Sequence, residues 1–418
     1  MANEEYLRLP HGMFDRESDW IRSERLILDN HYICGSKIGC ELEKYSPLGY
    51  KSTFFRGAHT ADNKVYELSS KTGKDLLLSC DSSPSVLRKY VSSNNIESKR
   101  ISFVAPLFRY KNSHSRHFTQ IGYSFVNTPL LNEDVDFDLV QLTKAMIDLF
   151  SSMNIPTYIQ VNNYKALKNI LIKYCDNKNL DQLLYDLQFG DLEKRIAIID
   201  QNINDSTKKQ ELINLFNTKQ QSINDLASSN NLSIPEEYYE FLKTYFALQD
   251  MTGVNVIFNP SDLHSIETLD DIALRFKTKD GITLGDGGNY SCYANRWDKR
   301  ITNFYSVATG VEAIERNKGI NINEDLSKLA VYCIDASNEF VLSTLNGLYD
   351  RYDSVIFYGK TNNISKAIKN SQKNCTHFVA LGKKEEMSNE IEIKDLCNWT
   401  TEKIKISSEN RKKVYKCQ

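Results

Sequence analysis

The chain has 418 residues and a formal net charge of −2, a length that suits two or three domains and a balance that carries no global signature of a nucleic-acid binder. Its nine cysteines are odd in number and form no CxxC pair, which argues against a disulfide framework or a structural metal and for a reducing, cytoplasmic setting. The polar, acidic opening MANEEYLRLPHGMFDRE does not read as a signal peptide, and no stretch approaches the roughly 20 apolar residues of a membrane span.

In chain order, the apolar positions Trp20, Ile21, Leu26, Ile27 and Leu28 of DWIRSERLILDNHYI follow a near-helical period. VYELSS, DLLLSCD, ISFVAPLFRY and FTQIGYSF read as strands bounded by Gly, Asp and Ser. Pro84 is expected to open the helix PSVLRKYVSS at its first turn. Between ISFVAPLFRY and FTQIGYSF lies a basic loop with Lys111, His114, Arg116 and His117. This predicts a hairpin-like strand pair whose first strand ends on Arg109. FDLVQLTKAMIDLFSSM is an amphipathic helix.

From 163 to 250 the pattern is helical throughout, in YKALKNILIKYC, NLDQLLYDLQFGDLEKRIAIID, KKQELINLFN and IPEEYYEFLKTYFALQD. We expect a helical insertion there, between two parts of one core at 1–162 and 251–325. Strands resume in VNVIFNPSD and DIALRFKTKDGITLGDGGNYSCY, and SVATGVEAIERN reads as strand, glycine turn and helix. From 328 to 418 three short apolar runs of the buried type, LAVYCID, SVIFYG and HFVALG, alternate with helices. That alternation predicts a small α/β domain with a largely parallel sheet. The basic tail ISSENRKKVYKCQ is expected to fray.

Taken together and in order, these pieces resemble the histidyl-tRNA synthetase family, a branch of the class II aminoacyl-tRNA synthetases. LPHGMFDRE is similar to the family's P-G-x-x-D opening, and YSPLGY places Pro47 at the proline of the dimer-forming motif 1. LLLSCDSSPSVLRKY matches the L-R-x-D-x-T-x-P strand, with Asp81 at the acidic position and Pro84 one residue early. LFRYKNSHSRHFTQIGYS resembles motif 2, FNPSDLHSIETLDDIALRF the R-G-L-D-Y-Y signature, GDGGNYS the A-G-G-R-Y-D segment and ATGVEAIER motif 3. GKTNNISKAIKNSQKNCTHFVALGKKE resembles the anticodon-binding domain. The resemblance implies an α+β fold: a class II antiparallel-sheet core with a helical insertion and a C-terminal anticodon-binding-like α/β domain. It also implies a homodimer.

The resemblance assigns roles residue by residue. Arg109 would hold the ATP α-phosphate and the amino-acid carboxylate, and a guanidinium suits this because it grips an oxyanion bidentately. Phe118 would stack on adenine, and Glu312 completes the ATP-binding set. Gln120 would contact the substrate, Asp81 an α-amino group, and Tyr290 would line the substrate site. Gly287 and Gly288 would allow close backbone approach. Other positions depart from the pattern. Activation spreads negative charge that such enzymes stabilise with fixed cations. The signature arginine falls on His264, which is mostly neutral at pH 7 and too short to mimic the fork. The motif 3 arginine becomes Ala313, and the glutamate two after the motif 2 arginine becomes Lys111. The tyrosine pair becomes Thr268 and Leu269, and the acidic residue four after Gln120 becomes Ser124. Arg109 and His264 are thus the catalytic candidates.

These departures imply a paralogue that has lost tRNA charging and acts as an amino-acid or nucleotide binding and regulatory dimer. The regulatory subunit of ATP phosphoribosyltransferase offers a partial likeness, since it shares the core but lacks a typical anticodon-binding domain. The alternatives are a repurposed ATP-dependent amino-acid-activating enzyme, a divergent active histidine–tRNA ligase, or an RNA-binding scaffold. ATP and Mg2+ are the cofactors these enzyme readings would need. Lys360, Lys366, Lys369 and Lys373, followed by Lys403, Lys405, Arg411, Lys412, Lys413 and Lys416, would offer tRNA or other RNA a phosphate-binding face. A solvated lysine surface is the plainer reading. His11, His31 and His59 show no ligand spacing.

Overall fold

The computed structural model describes residues 9–56, 65–94, 96–110, 115–129, 135–174, 180–189, 191–217, 221–228, 235–264, 268–319 and 327–406. Of the positions singled out above, Lys111, His114, His59 and the basic residues after 406 lie outside these. The chain divides into two units, Met1–Ile320 and Asn321–Gln418.

In the first unit, α1 (Ser18–Lys37) leads into β1 (Glu41–Lys44), β2 (Leu48–Tyr50), the single turn α2 (Lys51–Phe54), β3 (Glu67–Ser69), β4 (Asp75–Leu78) and α3 (Ser83–Ser92). Pro84 sits in the first turn of α3, where its missing N–H costs nothing. The hairpin β5 (Lys99–Phe108) and β6 (His117–Val126) follows, then α4 (Phe137–Ser152) and β7 (Thr157–Asn163). A helical run comes next: α5 (Tyr164–Tyr174), α6 (Leu180–Phe189), α7 (Leu192–Asn202) and α8 (Ser206–Asn217). It continues through a two-residue β8 (Gln221–Ser222), α9 (Ile223–Ser228) and α10 (Leu242–Thr252). Gly253, at φ 72°, supplies the left-handed residue that ends α10. The unit closes with β9 (Val256–Phe258), β10 (Ile272–Thr278), β11 (Thr283–Asn289), α11 (Ser291–Asn295), β12 (Phe304–Gly310) and α12 (Val311–Asn317).

Nine of these strands form one sheet in the order β1-β5-β6-β12-β11-β10-β7-β9-β8. It is antiparallel except for the β1–β5 and β7–β9 pairs. Alternation along each strand sorts the two faces. Ile121, Tyr123, Phe125, Ile159, Val161, Leu274, Phe276 and Val307 point to one side and pack with Ile27 of α1 and Met146 and Phe150 of α4. Phe150 meets Phe276 edge-on at 5.5 Å. Each such fully buried ring is worth roughly 1.5–3 kcal/mol. On the other side, one end of the sheet carries Ile101, Phe103, Ala105, Leu107, Phe304 and Ala308 under Leu87 of α3 and Tyr293 and Trp297 near α11. Towards the opposite end that face turns polar, and it is the floor of the candidate site. A small sheet, β2-β4-β3, lies beside these.

The second unit contains β13 (Lys328–Cys333), α13 (Asn338–Leu348), β14 (Ser354–Lys360), α14 (Ile364–Ser371), β15 (His377–Leu381), α15 (Lys383–Ser388), β16 (Glu390–Asp395) and β17 (Thr401–Lys405). Its sheet runs β14-β13-β15-β16-β17. The first three strands are parallel, as the sequence suggests. Strands β16 and β17 add an antiparallel edge that the apolar runs do not signal. Only β13 and β15 are the deeply buried strands expected; β14 is an outer strand with Phe357 and Tyr358 exposed. An outer strand has one paired edge and less cover, so its apolar run is not a burial signal.

Candidate functional site

Arg109 stands directly after β5, where the β5–β6 hairpin leaves the sheet. Its Nε donates to the Cys80 carbonyl at 2.7 Å, tying it to the loop that carries Asp81. Its guanidinium lies 5.3 Å from the centre of the Phe118 ring on the paired strand. The N-terminal segment closes over this end: the Arg116 amide donates to the Gly12 carbonyl at 2.7 Å. Arg16 stacks on Trp20 at 4.3 Å and reaches Glu312 at 3.6 Å. Glu312, in the first turn of α12, accepts from the Thr119 amide at 3.2 Å. Burial raises the Glu312 carboxyl above its ordinary value, against the pull of the neighbouring amides and Arg16. Arg109, Phe118, Glu312 and Ala313 thus share a cavity of about 450 Å³, with Arg16 and Arg316 supplying two further cations.

The polar half of the cleft floor is a row across three strands. Register places Gln160 of β7 beside Arg275 of β10, and Arg275 beside Asp286 of β11. Asp262, just beyond β9, collects the neighbours. Arg275 Nε is 2.9 Å from its Oδ2, His264 Nδ1 is 3.2 Å from its Oδ1, and the Gln160 amide donates to it. Burial opposes a charge at Asp262, but His264, Arg275 and Gln160 together overcome it and hold the carboxyl down at about 2. The Tyr164 hydroxyl donates to the His264 carbonyl at 2.7 Å. The His264 side chain is 8% exposed, and its Nε2 has no partner.

Between these two ends, the Asp81 carboxylate caps the Ser83 amide at 2.9 Å. Burial raises the Tyr290 phenol well above its ordinary value, and the fields of Asp286 and Asp81 add to the rise. Burial also raises the Tyr164 phenol, with Asp262 adding, Arg275 opposing, and Tyr290 and Asp286 adding further. Tyr290 therefore lies within the electrostatic reach of Asp81, Asp286 and Tyr164. Gln120 lies on the same face of β6, its buried Oε1 without a partner. Ser124 hydrogen-bonds Ser306 at 2.8 Å across the strands.

The close approach expected at Gly287 and Gly288 is made by neighbouring backbone. A Cβ on Gly287 would stand 2.3 Å from the Ser306 carbonyl oxygen, and one on Gly288 would stand 2.1 Å from that of Ile272. Leu269 is fully buried in the core. His31 is likewise a core residue, bonded to Ser102 at 2.9 Å. Asp262, Arg275, Asp286, Gln160, Tyr164 and Arg16 were not anticipated. Arg275 did leave a signal: it is the polar interruption of IALRF, at the alternation that faces away from the core. Among the described residues no cluster of His, Cys, Asp and Glu could hold a metal ion, and no helix is long and apolar enough to cross a membrane.

A family model described as histidyl-tRNA synthetase matches residues 36–310. The histidine–tRNA ligase of Sulfurisphaera tokodaii is 22% identical over 414 residues, covering 92% of this chain and 93% of that protein. That of Metallosphaera sedula is 21% identical over 369 residues, covering 82% and 83%. Among solved structures, an ATP phosphoribosyltransferase regulatory subunit/histidyl-tRNA synthetase from Bacillus halodurans superposes with a TM-score of 0.76 at 13% identity, covering 91% of this chain and all of that one. A histidyl-tRNA synthetase from Nostoc sp. PCC 7120 gives 0.74 at 13% identity, covering 97% and 98%.

Proposed function

The chain belongs to the histidyl-tRNA synthetase family, and from that premise we propose that it binds an amino acid without charging tRNA, as a cytoplasmic binding or regulatory homodimer. The observation that carries this is the fate of the cations around Asp262. Amino-acid activation needs a positive group free to meet charge developing on a phosphate, and fixed donors of this kind are worth several kcal/mol. His264, at the place of the family's signature arginine, is turned to Asp262 and packed beside Tyr164. Arg275, the arginine on this part of the floor, is also paired with Asp262. Ala313 offers no charge at all.

The amino-acid contacts remain: Asp81 for an α-amino group, Arg109 for a carboxylate, and Gln120 and Tyr290 beside them. The likeness to a protein titled both regulatory subunit and synthetase is compatible with a binding role. Dimerisation through the motif 1 region is supported by exposed Leu42, Leu48, Tyr50 and Leu68 on and beside the small sheet. RNA contact through the second unit is supported by exposed Phe357 and Tyr358 next to Lys360, with Lys366, Lys369 and Lys373 on or just after α14.

A second reading, an ATP-dependent enzyme that activates an amino acid, is favoured by the three arginines around the 450 Å³ cavity. These side chains fit a nucleotide's phosphates and base. In that case ATP with Mg2+ would supply the activating phosphate, Arg109 would hold it and Phe118 would stack on the base. Glu312 would have to leave the Thr119 amide and Arg16 to meet the metal. Purified protein assayed for histidine-dependent ATP–pyrophosphate exchange separates the readings. Exchange at background is expected. Robust exchange with histidine would make the protein a divergent ligase, and exchange with another amino acid would establish the second reading.

A further inference from the structure

We infer that the amino-acid end of the cleft selects a ligand with a second cationic group beyond its α-amino group, a diamino acid rather than one with a neutral side chain or imidazole. The inference rests on the reading of this cleft as an amino-acid site and names its substrate class. It stands on a carboxylate, Asp286, with no cation of the described residues within ion-pair distance, and on two buried glutamine oxygens without a partner.

Asp286 is a carboxylate in mid-sheet. Its cross-strand neighbour Arg275 gives its guanidinium to Asp262, 2.9 Å away. Among the described residues no cation lies within ion-pair distance of Asp286. A ligand ammonium would supply the counter-charge that Arg275 does not.

Three orphaned atoms add to it. Gln160 is 2% exposed and faces the Asp262 carboxylate. A carboxylate accepts only, so the amide nitrogen must be the atom turned to it, and the atom left without a partner is the oxygen. Gln120 Oε1 is also buried and unpartnered. His264 meets Asp262 through Nδ1, and its Nε2 is also unpartnered, in a side chain 8% exposed. Buried polar atoms in native proteins find partners. For the two glutamine oxygens the missing partners are N–H groups, whereas Arg275 Nε, though 2.9 Å from Asp262, makes no aligned hydrogen bond of its own.

A primary ammonium brings three donors and no acceptor. An imidazole brings one donor and sets its lone pair against acceptors, and an acidic side chain adds repulsion from Asp286. The register also calls for length. Asp286 on β11 and Gln120 on β6 are two strands apart, about 10 Å in the pairing direction. One ammonium held near Asp81 leaves the Asp286 end for a second.

The test is calorimetric titration of the full chain with lysine, ornithine, histidine and norleucine, the last being lysine without its terminal charge. Lysine or ornithine is expected to bind at least about tenfold more tightly than norleucine or histidine. In Asp286→Asn that ratio is expected to fall below about threefold. Histidine or norleucine binding as tightly as the diamino acids would overturn the inference and leave the amino-acid site standing. Binding of none of the four would overturn both. Should Asp286→Asn fail to fold, the ranking of the four ligands on the unaltered protein decides alone.

Discussion

Replacing Asp262 by asparagine removes the anion that holds His264, Arg275 and Gln160 together, and the structure sets the size of the effect. The carboxyl drops from its ordinary 3.8 to about 2 in the folded chain, with burial overcome by His264, Arg275 and Gln160. At about 1.4 kcal/mol per unit, that difference is worth about 2–3 kcal/mol of stability at pH 7. The folded value lies below the unfolded one, so this stability is fully present above pH 3.8 and is lost as pH falls towards 2. At pH 3 roughly half of it remains by the same linkage. Urea unfolding of both proteins at pH 7 and pH 3 measures it, because other carboxylates titrate alike in the two and cancel. Asp262→Asn is expected to be less stable by about 2–3 kcal/mol at pH 7 and by roughly half that at pH 3. A difference under about 0.5 kcal/mol at pH 7, the size of an ordinary surface substitution, would refute the reasoning, as would one that does not shrink on acidification.

Three further substitutions probe the same sheet. Burial raises the Asp271 carboxyl to about 6, with Asp136 adding and the Asn163 hydrogen bond opposing. Its folded value lies above the unfolded 3.8, so the charged form costs stability that is intact below pH 3.8 and fully lost above pH 6, about 3 kcal/mol in all. Asp271→Asn keeps an acceptor for the Asn163 amide and should melt several degrees higher at pH 8, with most of the gain gone at pH 4; equal melting temperatures at pH 8 would show that the carboxylate is not under strain. Gly287→Ala would press a Cβ to 2.3 Å from the Ser306 oxygen and is expected to cost about 1–3 kcal/mol. Gly310→Ala meets nothing nearer than 3.9 Å and should melt close to the unaltered protein, so two equal losses would remove the steric explanation.

The sequence alone carried the elements whose pattern is local. The near-helical period of α1 and α4, the proline opening α3 and the paired apolar runs of β5 and β6 with Arg109 at their mouth could all be read from near neighbours along the chain. The order of the family's motifs was legible in the same way. Strand β7 was not, because its cleft-facing Gln160 and Asn162 are polar and buried, which breaks the usual link between polarity and exposure. Strand β16 was missed because EIEIKD looks like a solvated stretch until β15 and β17 flank it. The polar floor lay furthest out of reach. Gln160, Asp262, Arg275 and Asp286 are spread over more than a hundred positions, and only the pairing of β7, β10 and β11 sets them side by side. Which cation answers which carboxylate is then settled by distances of about 3 Å. His264 and Arg275 both turn to Asp262, and among the described residues Asp286 is left without a counter-ion. Periodicity is a property of the chain, whereas charge compensation depends on long-range register, and here that register decided which charges on the floor are paired.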